Sequence, residues 1–241
     1  MKLLTPAAAN TKTAKNMSQE NYISYILHLA PADLSGYNTC PAASAGCKAA
    51  CLNTAGRGVF SNVQQARIRK TVMLVKQRAE FMKLLQADLD TVVRKANKAN
   101  KQAVVRLNGT SDLNWLGLKL ANGLTVFEAY PTIQFYDYTK VLSRLKALAV
   151  KPIKNYHVTF SRSETNDSAC LEALRLEFNV AVVFSGDVPE VYMDRPTVDG
   201  DGHDLRFLDK PGCVVALKAK GRARRDASGF VVGACSKQAA V

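Results

Sequence analysis

The sequence predicts an α/β protein: a single domain over residues 1–241 built on a mostly parallel sheet, either open or curled into a partial (β/α)6 barrel. Three observations carry that prediction. Short β-rich runs recur along the chain, most of them separated by helical connectors rather than by tight turns, and parallel neighbours require such crossovers. The length of 241 residues, 47% of them hydrophobic, suits one ordinary core. No apolar run approaches the roughly 20 residues that span a bilayer.

Taken in order, the run Tyr22-Ile23-Ser24-Tyr25-Ile26-Leu27-His28-Leu29 reads as the first strand, over 22–30. A loop rich in Ala, Gly and Ser follows at 31–59. Residues 61–99 show helical spacing, with Val63, Ile68, Val72, Val75, Ala79, Met82, Leu85, Leu89 and Val93 recurring at three or four. Ser61 and Gln64 fit a reciprocal cap at its start. Further strands are expected at Ala103–Leu107, Thr132–Tyr136, Tyr156–Phe160, Val180–Phe184 and Val214–Leu217, joined by connectors that include 113–129, 140–149 and 166–178. The Pro-, Gly- and Asp-rich region 185–212 breaks this rhythm and reads as a long functional loop.

Within the first loop, Cys40, Cys47 and Cys51 form a C-x6-C-x3-C cluster. The N-terminus lacks the apolar core of a secretory signal, which predicts a cytoplasmic protein. In a reducing compartment clustered cysteines read as metal ligands rather than disulfides. Three thiolates on a small-residue loop suit a metal ion or an iron–sulfur cluster, with one coordination position left open. Cys170, Cys213 and Cys235 are scattered singly and read as buried or incidental thiols. His203 lies in Asp199-Gly200-Asp201-Gly202-His203-Asp204, which is either a divalent-cation loop or a plain acidic surface turn.

The chain carries a formal net charge of +13. Residues 61–102 hold ten Lys/Arg against three Asp/Glu, and residues 210–241 hold seven against one. Such stretches favour nucleic acid or a nucleotide as partner, or else form a solvated surface.

Polar clusters follow the strands. They include Arg106, Asn108, Gly109, Thr110 and Asp112 after the second, and Asp137 and Lys140 after the third. Ser161, Arg162 and Glu164 follow the fourth, and Lys218 the last. In parallel architectures the carboxyl ends of strands gather on one edge, and the cysteine loop, also following a strand, belongs there too.

The segments LHLAPADLSGYNTCPAASAGCKAACLNTAGRG, VRLNGTSDL, QFYDYTK, NYHVTFSRSE, VAVVF, DGDGHDLRFLD and LKAKGRARRDASGFV together resemble a family of small proteins of tailed phages and prophages, gene product eighty-eight-like. That resemblance implies a phage protein working in the cytoplasm of an infected host. A second resemblance is to the radical S-adenosylmethionine (SAM) superfamily, whose three cysteines follow the first strand of a partial barrel and hold a [4Fe–4S] cluster. The usual spacing there is C-x3-C-x2-C with an aromatic residue before the last cysteine; this chain has the longer spacing and Ala50. The resemblance implies a cluster on Cys40, Cys47 and Cys51. It further implies SAM bound near Asn108, Gly109, Thr110, Ser161 and Lys218, with Arg106, Asp112, Asp137, Lys140, Arg162 and Glu164 as candidate catalytic residues. The expected function is a radical-SAM-like enzyme acting on a nucleotide or nucleic-acid-related substrate. The alternative is a non-enzymatic nucleic-acid-binding phage protein with a structural metal centre, zinc in place of iron.

Overall fold

A computed structural model describes residues 1–7 and 21–233. Its strands are β1 (Leu4–Pro6), β2 (Tyr22–Leu27), β3 (Gln102–Arg106), β4 (Gln134–Thr139), β5 (Tyr156–Ser161) and β6 (Val180–Ser185). Four more follow: β7 (Val191–Tyr192), β8 (Arg195–Asp199), β9 (Val214–Lys218) and β10 (Val231–Gly233). They form one ten-stranded sheet in the order β1-β2-β3-β4-β5-β6-β9-β8-β7, with β10 also beside β6. Neighbours from β2 through β6 to β9 and β8 are parallel, and the outer strands β1 and β7 pair antiparallel. The protein is therefore mixed α/β with a mostly parallel sheet, as the alternating pattern predicts.

The helices are α1 (Ala45–Ala49), α2 (Ser61–Lys76), α3 (Arg78–Lys98), α4 (Val126–Ala129), α5 (Leu142–Val150) and α6 (Asp167–Arg175). Strands β2 to β6 keep sequence order, so successive right-handed crossovers return helices to one face. There lies the main core: Phe81, Leu85 and Leu89 of α3, Leu145 of α5 and Leu174 of α6 pack on Val105, Phe135, Val158, Phe160, Val182 and Val214. The alternate strand residues face the other way, as a pleated period of two requires. That second face carries Val104 and Tyr136, packed on Leu205, and the polar Arg106 and Tyr138.

Helix α3 buries Phe81, Met82, Leu85, Leu89, Val92 and Ala96; of the residues the sequence spacing picks out here, Met82, Leu85 and Leu89 are among them, while Ala79 is exposed and Val93 half-buried. Helix α2 buries none of the residues so picked out. It is separated from α3 at Gln77, where φ is −134° and ψ 50°, and its buried residues are Arg67, Lys70, Thr71 and Leu74. Val75 is exposed, so the apolar spacing of this segment misplaces its inward face. The expected Ser61 cap is also absent: Phe60 occupies the N-cap without a side-chain bond, and Gln64 instead donates to the Gly58 carbonyl at 3.0 Å.

Three further departures shape the site. Region 185–212 is not structureless, since it contains β7 and β8, the latter paired with β9. β5 pairs with β6 only at Phe160↔Val180 and Ser161↔Ala181; beyond that point β10 takes the place beside β6, at Val183, Phe184 and Ser185. The sheet thus opens at its carboxyl edge, and β10 brings Phe230 into the gap. Among the described residues no helix is long and apolar enough to cross a membrane. Cys235 lies outside the described residues.

Candidate functional site

The cysteine loop is fastened at both ends. Behind Cys40, the Thr39 hydroxyl donates to the Ala30 carbonyl at 2.6 Å, and the Asp112 N–H donates to the Thr39 carbonyl at 2.8 Å. Cys47 sits in α1, whose N-cap Ser44 accepts from the Cys47 N–H at 3.2 Å. Glu164 holds that turn from the far side of the site, accepting from Ser44 Oγ at 2.7 Å and from the Gly46 N–H at 2.8 Å. A Cβ at Gly46 would lie 2.2 Å from Ser228 Oγ and 2.8 Å from the Glu164 carboxyl, so any side chain there would displace the carboxylate that holds this turn. Cys51 opens a 3-10 turn over Leu52–Thr54.

All three thiols are free, partly buried and set on one cavity of about 190 Å³. Two of them accept backbone N–H groups: Cys40 Sγ from Ala32 at 3.3 Å and Cys51 Sγ from Asn53 at 3.5 Å. Burial pushes the Cys40 and Cys51 thiols up, with these N–H bonds opposing. Their thiolates therefore call for a cationic group.

The same cavity collects the polar ends of β3, β4, β5 and β9. Arg106, Asn108, Gly109, Thr110, Asp112, Lys140, Ser161 and Lys218 all line it, as the shared-edge argument requires. Asp137, Arg162 and Glu164 do not. Asp201 of the acidic loop, Lys220 of the basic C-terminal stretch and Phe230, which carries no sequence signal, complete the wall. Asp201 is paired with Lys220 and accepts from the Lys218 N–H at 2.8 Å. The Lys140 ammonium stands 5.7 Å from the centre of the Phe230 ring.

Several of these groups are already engaged. The Asn108 amide oxygen accepts from Ser111 Oγ and the Leu113 N–H at 2.9 Å and from Trp115 Nε1 at 3.3 Å, while its Nδ2 donates to Leu113 and Asp137. Asp112 accepts from Thr139 Oγ1 at 2.8 Å and the Lys140 N–H at 2.9 Å, and pairs with the buried Arg144 at 2.7 Å. Arg162 joins Asp167 at 2.8 Å to the Gly229 carbonyl at 2.6 Å, which fixes the approach to β10. Gly109 is tightly enclosed: a Cβ would lie 2.7 Å from the Leu27 carbonyl and 2.6 Å from the His28 Nδ1 and Ile26 Cγ2 side-chain atoms.

Arg106 is held by Asp204 at 2.9 Å, with exposures of 11% and 0% for the two side chains. Tyr136 and Tyr138 donate to the same carboxylate at 3.1 and 3.2 Å. Burial disfavours the Arg106 charge, but Asp204 outweighs it and the guanidinium ends up held more firmly protonated than usual.

Asp137 is buried behind Asn108, whose N–H donates to it at 2.6 Å. Burial pushes this carboxyl up to about 7; the Asn108 bond, Arg106 and Arg144 act against the rise and Asp112 adds to it. The folded value lies above the ordinary 3.8, so the favourable contribution of the protonated carboxyl is complete below that value and is lost as pH climbs to about 7. Asp137→Asn is expected to remove this slope. Urea denaturation of both proteins across that range should show their stability difference moving in favour of the variant as pH rises. A constant difference would place the Asp137 charge in a solvated setting.

The remaining candidates stay apart. Cys170 is in the main core and Cys213 packs with Ala181 and Val215, the buried-thiol role expected of both. His203 Nδ1 accepts from the Leu205 N–H at 3.2 Å and faces Arg206 at 3.1 Å, not a ring of carboxylates. Among the described residues there is no group of three or more His, Cys, Asp or Glu that could hold a metal ion.

A family model described as Gene product 88 matches residues 1–234. No curated protein and no solved structure matches the chain.

Proposed function

The chain belongs to the gene product 88 family of phage proteins, and from that premise we propose that it is an iron–sulfur protein, a radical-SAM-like enzyme acting on a nucleotide-related substrate. One observation carries the reading: three free thiols from a single loop share a cavity with polar residues from the ends of four parallel strands.

Three thiols from one loop match the ligand count of a cluster that keeps one iron open. N–H groups directed at Cys40 and Cys51 sulfurs suit the same role, because such bonds tune cluster potential. Cys40, Cys47 and Cys51 would hold the cluster, which when bound supplies an electron to SAM at its open iron.

The protein's own groups do the rest. Lys140, Lys218 and Lys220 place positive charge around the cavity, suited to a carboxylate or phosphate. Gly109 and Thr110 offer a backbone edge that a ligand can approach closely. Ser161 presents a hydroxyl at the end of β5, and Arg106 a guanidinium oriented by Asp204. Asp112, Arg162 and Glu164 act as positioning residues for β4, β10 and the cysteine loop, and Asp137 for the Asn108 turn. Ala43, Ala50, Leu52, Ala223 and Phe230 make the remaining wall apolar, which keeps water from a reactive centre.

The test is anaerobic: reduced, iron-loaded protein mixed with SAM is expected to release 5′-deoxyadenosine, and Lys140→Met to slow the release about tenfold or more. Absence of any SAM cleavage by loaded protein would exclude the enzyme reading while leaving cluster binding to be measured separately.

A further inference from the structure

A second cavity, of about 780 Å³, shares Leu52, Arg106, Gly109, Thr110, Asp201 and Lys220 with the first and is lined by none of the three cysteines. Its size is that of a small-molecule site. Six cationic side chains line it, Arg57, Arg67, Lys70, Arg106, Lys220 and Arg224, against one carboxylate, Asp201. Two of the cations are its deepest feature. Arg67 and Lys70 are each only 8% exposed, one turn apart on the inward face of α2.

Neither is matched by an acid among the described residues. Arg67 Nη1 donates to Asn53 Oδ1, and its Nε has no partner. Lys70 Nζ donates to the Leu3 carbonyl at 2.6 Å. Burial lowers both groups from their usual values, opposed by the Cys51 thiol at Arg67 and by Asp88 at Lys70, where Arg67 adds to the lowering. His28 Nδ1 on the same wall is likewise buried without a partner. Burying two cations against neutral oxygens is costly, and an anion in the cavity removes most of that cost.

The backbone around them is shaped for an anion. Gly56, Gly58, Gly109 and Gly221 all border the cavity. At Gly58 a Cβ would lie 2.6 Å from the Asn53 carbonyl and 3.3 Å from Arg67 Nη1, so glycine there leaves the guanidinium in place. Asn62 and Val63 present the first turn of the 16-residue α2, whose N-cap Phe60 makes no side-chain bond and whose first turn holds no acid. The Val63 N–H is taken by Asn62 Oδ1 at 2.8 Å and by the Phe60 carbonyl at 3.1 Å, so helix polarity is what favours negative charge at this end.

We propose that this second cavity binds a phosphate group, carried by a nucleotide or by a nucleic acid strand, with Arg67 and Lys70 as its buried recognition pair. The binding needs no cluster, so its outcome is separable from that of the enzyme reading.

Calorimetric titration of the full chain with inorganic phosphate, a 5′-mononucleotide and a short single-stranded oligonucleotide tests it. One phosphate per chain is expected, and Arg67→Met or Lys70→Met should each weaken binding at least tenfold. Both variants should melt at or above the temperature of the unliganded wild type, because each removes an unmatched buried charge. Should either fail to fold, the exposed-rim pair Arg57→Ala/Arg224→Ala is expected to weaken binding severalfold. A mononucleotide bound as tightly as the strand identifies a nucleotide ligand. A tighter strand with a steep salt dependence identifies nucleic acid. No saturable binding of any of the three probes, or wild-type affinity in the folded variants, overturns the proposal.

Discussion

Asp204→Ala is expected to destabilise the protein by about 3–5 kcal/mol, the loss typical of removing one partner from a buried ion pair. The carboxylate is fully buried and answers three groups at once: Arg106 at 2.9 Å, Tyr136 at 3.1 Å and Tyr138 at 3.2 Å. Removing it leaves a guanidinium and two hydroxyls without their shared acceptor. Asp204→Ala paired with Arg106→Met should recover much of the loss, because a buried pair replaced by apolar groups is often neutral. Equilibrium denaturation of the two single variants and the double variant measures the coupling. Strictly additive losses would mean that Arg106 and Asp204 do not depend on each other, and Arg106 would then lack a fixed orientation at the two cavities it borders.

The carboxyl edge was the most legible part of the site. Each strand ended in a polar cluster, and parallel order alone brings such ends together, so Arg106, Thr110, Lys140, Ser161 and Lys218 could be grouped without knowing their contacts. What sequence could not separate was a wall residue from a strut. Asp112 and Asp137 look alike at a strand end, yet one is saturated by Arg144 and backbone while the other is sealed behind Asn108. Their partners come from distant segments, and only folding chooses them.

Helix α2 departs from its apolar spacing for a clear reason. Its valines and isoleucine recur at helical spacing, but the inward face belongs to Arg67, Lys70, Thr71 and Leu74. Hydrophobic periodicity finds the buried face only where burial is apolar, and a polar cavity defeats it. β8 was hidden similarly, since Arg195-Pro196-Thr197-Val198-Asp199 has turn-like composition and owes its extended form to pairing with β9. Phe230 reaches the cavity because β10 fills the gap where β5 leaves β6, a tertiary event with no local signature.

The largest effect of all is expected at the thiols. Replacing Cys40, Cys47 or Cys51 with alanine removes one of three ligands, and among the described residues Cys170 and Cys213 are enclosed in separate apolar packing while His203 faces Arg206. Loading should also release protons, because burial keeps the Cys40 and Cys51 thiols protonated until a cation arrives.

The direct measurement is anaerobic reconstitution with iron and sulfide, followed by iron and sulfide analysis and by electron paramagnetic resonance of the reduced protein. The account predicts about four irons and four sulfides per chain and a cubane signal, lost in each of the Cys40→Ala, Cys47→Ala and Cys51→Ala variants and kept in Cys170→Ala and Cys213→Ala. Wild-type protein that takes up no iron, or any one of the three variants that loads as fully as wild type, would contradict it.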